Sequence, residues 1–180
     1  MSATTTKNDR QTTTTVKSGP LSVEISVVSD VDAPATSVWH VLTATERFGE
    51  WNPFITSFDG ALTLGGAITL VLALPDRKPQ TLRPKIIQLD PGETLAWHGH
   101  LGVRGVLDAE HRLEVHGLDA RRCRFVQHER FTGMLVPAVR SVLTVSTPEA
   151  FLAMNTALAQ RATVRHRDEV GDDHRRTRGS

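Results

Sequence analysis

The segments LDAEHRLEVH (residues 107–116) and RCRFVQHERF (residues 122–131) decide the fold, because each alternates strictly between two classes of side chain. A period of two residues is typical of an antiparallel strand with one buried face. In both segments one face is apolar except at His111, Gln127 and Glu129. A buried carboxylate without a partner is strongly destabilising. We therefore expect these three residues either to satisfy one another or to line a cavity.

The flanking sequence sets the order of the remaining elements. Residues 21–31 alternate and predict a first strand, and Asp32 and Pro34 then mark the start of a short helix, since both residues suit a first turn. A second short helix ends before Asn52, which precedes a proline. Further strands are predicted at residues 54–61, 67–74, 82–90 and 93–101, between turn signals.

A long amphipathic helix is predicted after the strands. It begins at residues 146–149, where a hydroxyl cap is followed by proline and by glutamate at capping-box spacing. One stripe of this helix carries Phe151, Met154, Asn155, Leu158 and Ala162. The element order predicts an α+β fold in which a curved antiparallel sheet of about seven strands wraps around the C-terminal helix. We expect a cavity between the two.

Composition predicts one folded domain with two tails. Residues 1–20 contain many threonines and almost nothing able to enter a core, and residues 167–180 are dense in both charges. Both segments have too little apolar surface to offset the entropy of ordering. We therefore expect a disordered N-terminal tail, a ligand-binding domain over residues 21–166 and a disordered charged C-terminal tail.

Charge and motif content exclude several classes of protein. A net charge of +1 argues against nucleic-acid binding, which normally needs a basic stripe. No apolar stretch suits membrane insertion or a secretory signal, so the cytoplasm is the expected compartment. The single cysteine, Cys123, shares its phase with Phe125 and is expected to be a core thiol. No phosphate-binding glycine loop, GxSxG motif or paired-cysteine spacing is present, so no cofactor is expected.

The chain resembles the START-like helix-grip (SRPBCC) superfamily, and within it the bacterial polyketide cyclase/dehydrase-like branch. The resemblance extends over about residues 21–166, with its motifs in the order of the family. The residues that carry it are Ala33-Pro34 with Val38-Trp39, WNPF at 51–54, Leu95-Ala96-Trp97-His98-Gly99, Glu110-His111, residues 127–133 (QHERFTG) and residues 151–155 (FLAMN).

The resemblance implies a cavity and leaves the chemistry open, because the superfamily includes carriers, enzymes, hormone receptors and chaperone activators. The favoured function is binding of a hydrophobic or aromatic small molecule, lipid-like or polyketide-like, between sheet and C-terminal helix. The alternative is an enzyme of the cyclase/dehydrase type. A third possibility is a protein-interaction module, which would need an exposed apolar patch. Oligomeric state is not set by the sequence.

Candidate site residues follow from the two alternating strands. A hairpin places His111 opposite or diagonal to Gln127 and Glu129. His111 and Glu129 would be the acid–base pair of an enzyme. Alternatively, the three residues orient an apolar ligand or form a structural network. The further candidate ligand-binding residues are Trp97, Gln127, Trp51, Phe54, Met154 and Asn155, with Trp51, Phe54 and Met154 at the mouth of the cavity.

The eight histidines of the chain raise the question of a metal site. Plausible hairpin registers place His98, Glu110 and His128 in one cross-strand row, which is a two-histidine, one-carboxylate composition. These residues lie on the outward phase of their strands, where the face is solvated. We therefore expect no functional metal.

Overall fold

The computed structural model describes residues 3–9, 12–75 and 77–178. The strands are β1 (Ala3–Asp9), β2 (Thr12–Gly19), β3 (Ser22–Val31), β4 (Ile55–Asp59), β5 (Thr69–Leu72), β6 (Gln80–Leu82), β7 (Lys85–Asp90), β8 (Thr94–Leu101), β9 (Leu107–Gly117) and β10 (Cys123–Thr132). The helices are α1 (Ala35–Thr43), α2 (Phe48–Trp51), α3 (Val136–Ser141) and α4 (Thr147–Arg178). A 3₁₀ turn (Thr45–Arg47) precedes α2, and a π-helical turn (Val142–Ser146) joins α3 to α4.

Seven strands form the large sheet, in the order β1-β2-β3-β10-β9-β8-β7, and every neighbouring pair is antiparallel. A small sheet, β4-β5-β6, accompanies it. The hairpin predicted from the two alternating segments is confirmed, with Gln127 opposite Leu113 and Glu129 opposite His111. Every second residue of β9 and β10 therefore faces inward.

The long C-terminal helix covers the inward face of the large sheet. The predicted stripe of α4 is buried completely at Phe151, Met154, Leu158 and Ala162. Burial of an aliphatic or aromatic side chain of this size contributes about 1.5–3 kcal/mol, so this stripe is a main source of stability. The α+β helix-grip architecture is thus confirmed. Within the described residues, no helix combines the length and apolarity needed to cross a membrane.

The N-terminal segment is a correction to the sequence prediction, because residues 1–20 are not simply a disordered tail. Strand β2 pairs with β3 along its whole length, from Thr12 opposite Ser29 to Gly19 opposite Ser22. Val16 on this strand is only 8% exposed. Threonine is β-branched and favours strands, and backbone pairing along β3 supplies order that the side chains alone do not. Residues 1, 2, 10 and 11 lie outside the described residues.

The C-terminal segment also differs from the expected disordered tail over residues 167–180. Helix α4 continues to Arg178, and the last two residues lie outside the described part of the chain. Once a helix is formed, each added residue gains a backbone hydrogen bond at little cost. No proline follows Pro148 to interrupt it.

One predicted strand is split. Residues 82–90 were expected to form a single strand, but it breaks at Pro84 into β6 and β7, which belong to different sheets. Proline cannot donate a hydrogen bond to a sheet ladder. The carbonyl of Pro84 instead accepts from the backbone N–H of Ile68 at 3.0 Å, which links the two sheets.

Candidate ligand-binding site

His111, Gln127 and Glu129, hereafter the polar trio, meet on the inward face of the β9–β10 hairpin. His111 Nδ1 lies 3.3 Å from Glu129 Oε2, and Gln127 Nε2 lies 3.2 Å from His111 Nε2. The exposed fractions are 2% for His111, 0% for Gln127 and 7% for Glu129. The strand register causes this meeting, because it sets His111 directly opposite Glu129 and diagonal to Gln127.

The two ring nitrogens of His111 have different neighbours. Nδ1 faces the Glu129 carboxyl group, and Nε2 lies within hydrogen-bond distance of the Gln127 amide nitrogen. Both ring nitrogens are then engaged within the protein. His111 therefore orients Glu129, and the Glu129 carboxylate is the more accessible of the two groups.

Three aromatic rings enclose His111. Trp97 stacks on the imidazole with a centroid distance of 4.7 Å and an angle of 9° between the planes. Phe54 lies at 6.4 Å and 21°, and the Phe151 ring meets the imidazole edge to face at 5.1 Å. Trp97 owes its position to β8, where it is opposite His111 in the sheet register. The result is a polar group set in an aromatic wall.

Gln127 has a second contact and one atom without any. Its Nε2 lies 3.6 Å from the sulfur of Met154 on α4. Its Oε1 is buried and finds no hydrogen-bond partner among the described residues. Unpaired buried polar atoms are uncommon in native proteins and call for a physical explanation.

Asn155 lies on the same stripe of α4 and anchors the helix to β3. Its Nδ2 donates to the carbonyl of Val27 at 3.3 Å and to the hydroxyl of Ser29 at 3.1 Å. The Ser29 hydroxyl is in turn 3.0 Å from that of Thr12 on β2. Asn155 Oδ1 is buried and, like Gln127 Oε1, has no partner in the described part of the chain.

Two residues that the sequence analysis did not assign to the site shape it. Phe151 touches both His111 and Phe54, and its place on the helix stripe beside Met154 was the available signal. Asn52 accepts from the backbone N–H groups of Phe54 and Ile55 at 3.0 and 2.9 Å. This turn aims Phe54 at His111. The only signal for this turn in the sequence is an asparagine followed by proline and an aromatic residue, at positions 52–54.

Trp51 lies apart from the polar trio, on the other side of α4. It packs edge to face on Phe48 and lines an outer groove of about 700 Å³ between α1, α2 and α4. Glu50 connects two residues that line this groove, because Arg47 and Arg161 both form ion pairs with its carboxylate. Arg47 first, and then Arg161, hold the pKa of Glu50 below its ordinary value. Phe54 and Met154, the other two residues expected at the mouth of the cavity, are buried, with exposed fractions of 3% and 0%.

The outward face of the same strands does not form the histidine row considered above. His98 is opposite Glu110, but Glu110 is opposite Arg130, and His128 is opposite Arg112. The described residues contain no group of three or more potential ligands arranged to hold a metal ion. Cys123 is buried in the core, and burial raises the pKa of its thiol to about 11, so it is a poor nucleophile.

Comparison with known proteins agrees with this architecture. The family model described as polyketide cyclase/dehydrase and lipid transport matches residues 22–163. No functionally curated protein matches the chain significantly.

Several solved structures share the fold. The Zhui aromatase/cyclase from Streptomyces sp. R1128 superposes with a TM-score of 0.65 at 18% identity, over 78% of this chain and 93% of that chain. A norcoclaurine synthase point mutant from Thalictrum flavum gives 0.62 at 14% identity, over 81% and 96%. The di-domain ARO/CYC StfQ of the steffimycin pathway gives 0.59 at 12%, over 84% and 52%. At these identities the likeness extends to the fold alone.

Proposed function

Because the chain belongs to the polyketide cyclase/dehydrase and lipid transport family, we propose that it binds a hydrophobic or aromatic small molecule between the large sheet and α4. The observation that carries this proposal is the polar trio set within an aromatic wall. Small-molecule sites are predominantly apolar and contain a few converging polar groups that orient the ligand. Trp97, Phe54 and Phe151 supply the apolar part, and the trio supplies the orienting groups.

Access to this site runs past Glu129. Its side chain is about 10% exposed, whereas that of His111 is 3% exposed. Ala109 and Phe131 face each other one step further along the same two strands, and Ala109 is partly buried. A ligand that enters here passes Ala109 and Phe131, reaches the Glu129 carboxylate first, and then contacts the aromatic wall.

A fluorescent naphthalene probe tests the location of the site. The substitution Ala109→Trp fills the interior beside the polar trio and is expected to reduce probe affinity by at least about tenfold. The matched control is Ala157→Trp, which fills the outer groove instead. The control should leave affinity unchanged. The reverse pattern would place the ligand in the outer groove and contradict the proposal.

The natural ligand can be sought directly. Native mass spectrometry of the protein purified from its own host should detect a co-purifying apolar compound that is lost from the Ala109→Trp variant. A compound retained equally by both proteins would count against the interior site.

The second candidate function is catalysis of the cyclase/dehydrase type, favoured by the 3.3 Å contact between His111 and Glu129. In this reaction the Glu129 carboxylate removes a proton from the carbon between two ketones. The resulting enolate attacks another carbonyl of the same chain, and the protonated Glu129 returns its proton to the new alkoxide. In the dehydration, Glu129 removes the second proton from the same carbon, and this proton joins the hydroxyl group as it leaves as water. His111 holds the carboxylate in place throughout.

Glu129→Gln separates the two candidates. The amide keeps the size of the side chain and can still accept from His111, but it is no longer a base. If the protein is an enzyme, turnover of a poly-β-ketone should fall by about 10²–10⁴-fold, while affinity changes little. A wild-type protein that binds the poly-β-ketone without converting it would exclude this second function.

A further inference from the structure

The unpaired oxygen of Gln127 carries information about the ligand. Gln127 is fully buried, and its Oε1 has no hydrogen-bond partner among the described residues. Leaving a buried acceptor unsatisfied destabilises the folded protein. A group that supplies the missing donor would recover this loss.

The neighbours of the Gln127 NH₂ group set which end of the amide is left over. This group lies 3.2 Å from Nε2 of His111. The same NH₂ group also faces the weak acceptor sulfur of Met154. Both neighbours therefore orient the amide so that its oxygen is the free end.

The other polar atoms near this point are also acceptors. Asn155 uses its NH₂ group on Val27 and Ser29, which leaves its buried Oδ1 without a partner in the described residues. Val27 is the residue opposite Gln127 in the sheet, so the two amides lie at the same level of the fold. The carboxyl oxygens of Glu129 are acceptors as well. Gln127 Oε1 and Asn155 Oδ1 are therefore two buried acceptors at this level that lack a donor among the described residues.

We infer that the ligand presents a hydrogen-bond donor, a phenolic or enolic hydroxyl on a flat apolar body, to Gln127 Oε1. This inference rests on the proposed function, since it assigns the ligand class of the same site. The hydroxyl donates to the free oxygen while the aromatic wall holds the apolar body. A ligand that carries only carbonyl or ether oxygens there would place acceptor against acceptor.

A pair of probes of matched size tests the inference: 2-naphthol and 2-methylnaphthalene, titrated calorimetrically or by competition with the fluorescent probe. Hydrophobicity alone favours the methyl compound. We expect wild-type protein to bind 2-naphthol at least about tenfold more tightly, which corresponds to about 1.4 kcal/mol. In Gln127→Met this preference should disappear, because the variant keeps the side chain's length and removes the acceptor.

The ratio of the two dissociation constants distinguishes recognition from packing. A packing defect weakens both probes together and leaves their ratio unchanged. Gln88→Met is the matched control, since it makes the same substitution away from the polar trio, where Gln88 contacts Arg112, and it should keep the wild-type ratio. If Gln127→Met does not fold, the wild-type ratio decides the question by itself.

The outcomes separate the inference from the proposed function. If both probes bind wild type and 2-methylnaphthalene binds as tightly or more tightly, the donor inference is overturned while the binding function stands. If neither probe binds, the proposed function itself fails.

Discussion

The two faces of the β9–β10 hairpin use the same residue types in opposite ways. On the inward face, His111 and Glu129 are enclosed and contact each other. On the outward face, Glu110 and Arg112 stand in solvent-facing rows of alternating charge. Exposed ion pairs contribute little, because water and salt screen them. Burial, more than the number of charged residues, therefore decides which polar side chains affect stability.

The largest expected effect is removal of an inward aromatic side chain. Phe125 is fully buried, and Phe125→Ala should lower the free energy of unfolding by about 3–5 kcal/mol because it leaves a cavity. Urea unfolding monitored by tryptophan fluorescence measures this loss. The outward neighbour supplies the control, since Arg124 is exposed and Arg124→Ala should cost far less than Phe125→Ala. Equal losses at the two positions would contradict the distinction between the faces.

The next effect concerns the inward residue of β2. Val16 packs on the core, so deletion of residues 1–20 should destabilise the protein by about 1.5–3 kcal/mol, the contribution of one buried valine. Deletion also exposes the edge of β3. Thermal melts of the full and truncated proteins would compare them. Lys17 lies on the outward face of β2, so the Lys17→Ala variant should have the same melting temperature as the full-length wild-type protein. An unchanged melting temperature after deletion would show that β2 adds nothing to stability.

A closer comparison replaces one glutamate on each face of the hairpin by glutamine and adds a replacement of His111. Glu129→Gln should change the unfolding free energy by about 1 kcal/mol or less, because the amide oxygen still accepts from His111. His111→Leu should lower the free energy of unfolding by about 1–3 kcal/mol, since it leaves the Gln127 amide and the Glu129 carboxyl group without their buried neighbour. Glu110→Gln on the outward face should stay within about 0.5 kcal/mol. Urea unfolding of the three variants tests the order. A larger loss of unfolding free energy for Glu110→Gln than for His111→Leu would contradict the expected order.

The smallest effect is a pH dependence on the outward face. The hydrogen bond from Arg124, supported by its charge, lowers the pKa of Asp30. A carboxylate with a lowered folded-state pKa stabilises the fold above its unfolded pKa and loses that contribution as pH falls through the folded value. The difference in stability between wild type and Asp30→Asn should therefore be present at neutral pH and vanish in acid. Because the pair is exposed, it should not exceed about 1 kcal/mol. Chemical denaturation of both proteins at several pH values measures this difference. A difference that grows as the pH falls would contradict the prediction.

The sequence predicted the inward residues well and the cross-strand rows poorly. Strict alternation determines which face a residue occupies, so the polar trio and the stripe of α4 could be assigned. Position along the strand depends on the geometry of the turns. His98 and His128 were placed in one row on this basis, but they lie in different rows because Glu110 is opposite Arg130.

Other features were hidden because they do not depend on apolar periodicity. Thr12, Thr13 and Thr14 carry no alternation of hydrophobicity, yet they form a strand because β3 offers a partner backbone. Trp51 has the aromatic side chain expected of a site residue, but the position of α2 beside α1 and α4 places it in the outer groove. The tertiary path of the chain, which local sequence does not encode, decided both cases.

The pairing of β3 with β10 governs how this protein must fold. Asp30 and Arg124, which bind each other across these central strands, are 94 residues apart in sequence. Contacts between such distant segments carry a large loop-closure entropy and are associated with slow folding. During synthesis, β3 is made early and keeps one unpaired edge until β10 has been translated. For that interval the nascent chain exposes a template for pairing with other chains, so the step most vulnerable to aggregation precedes the completion of the sheet.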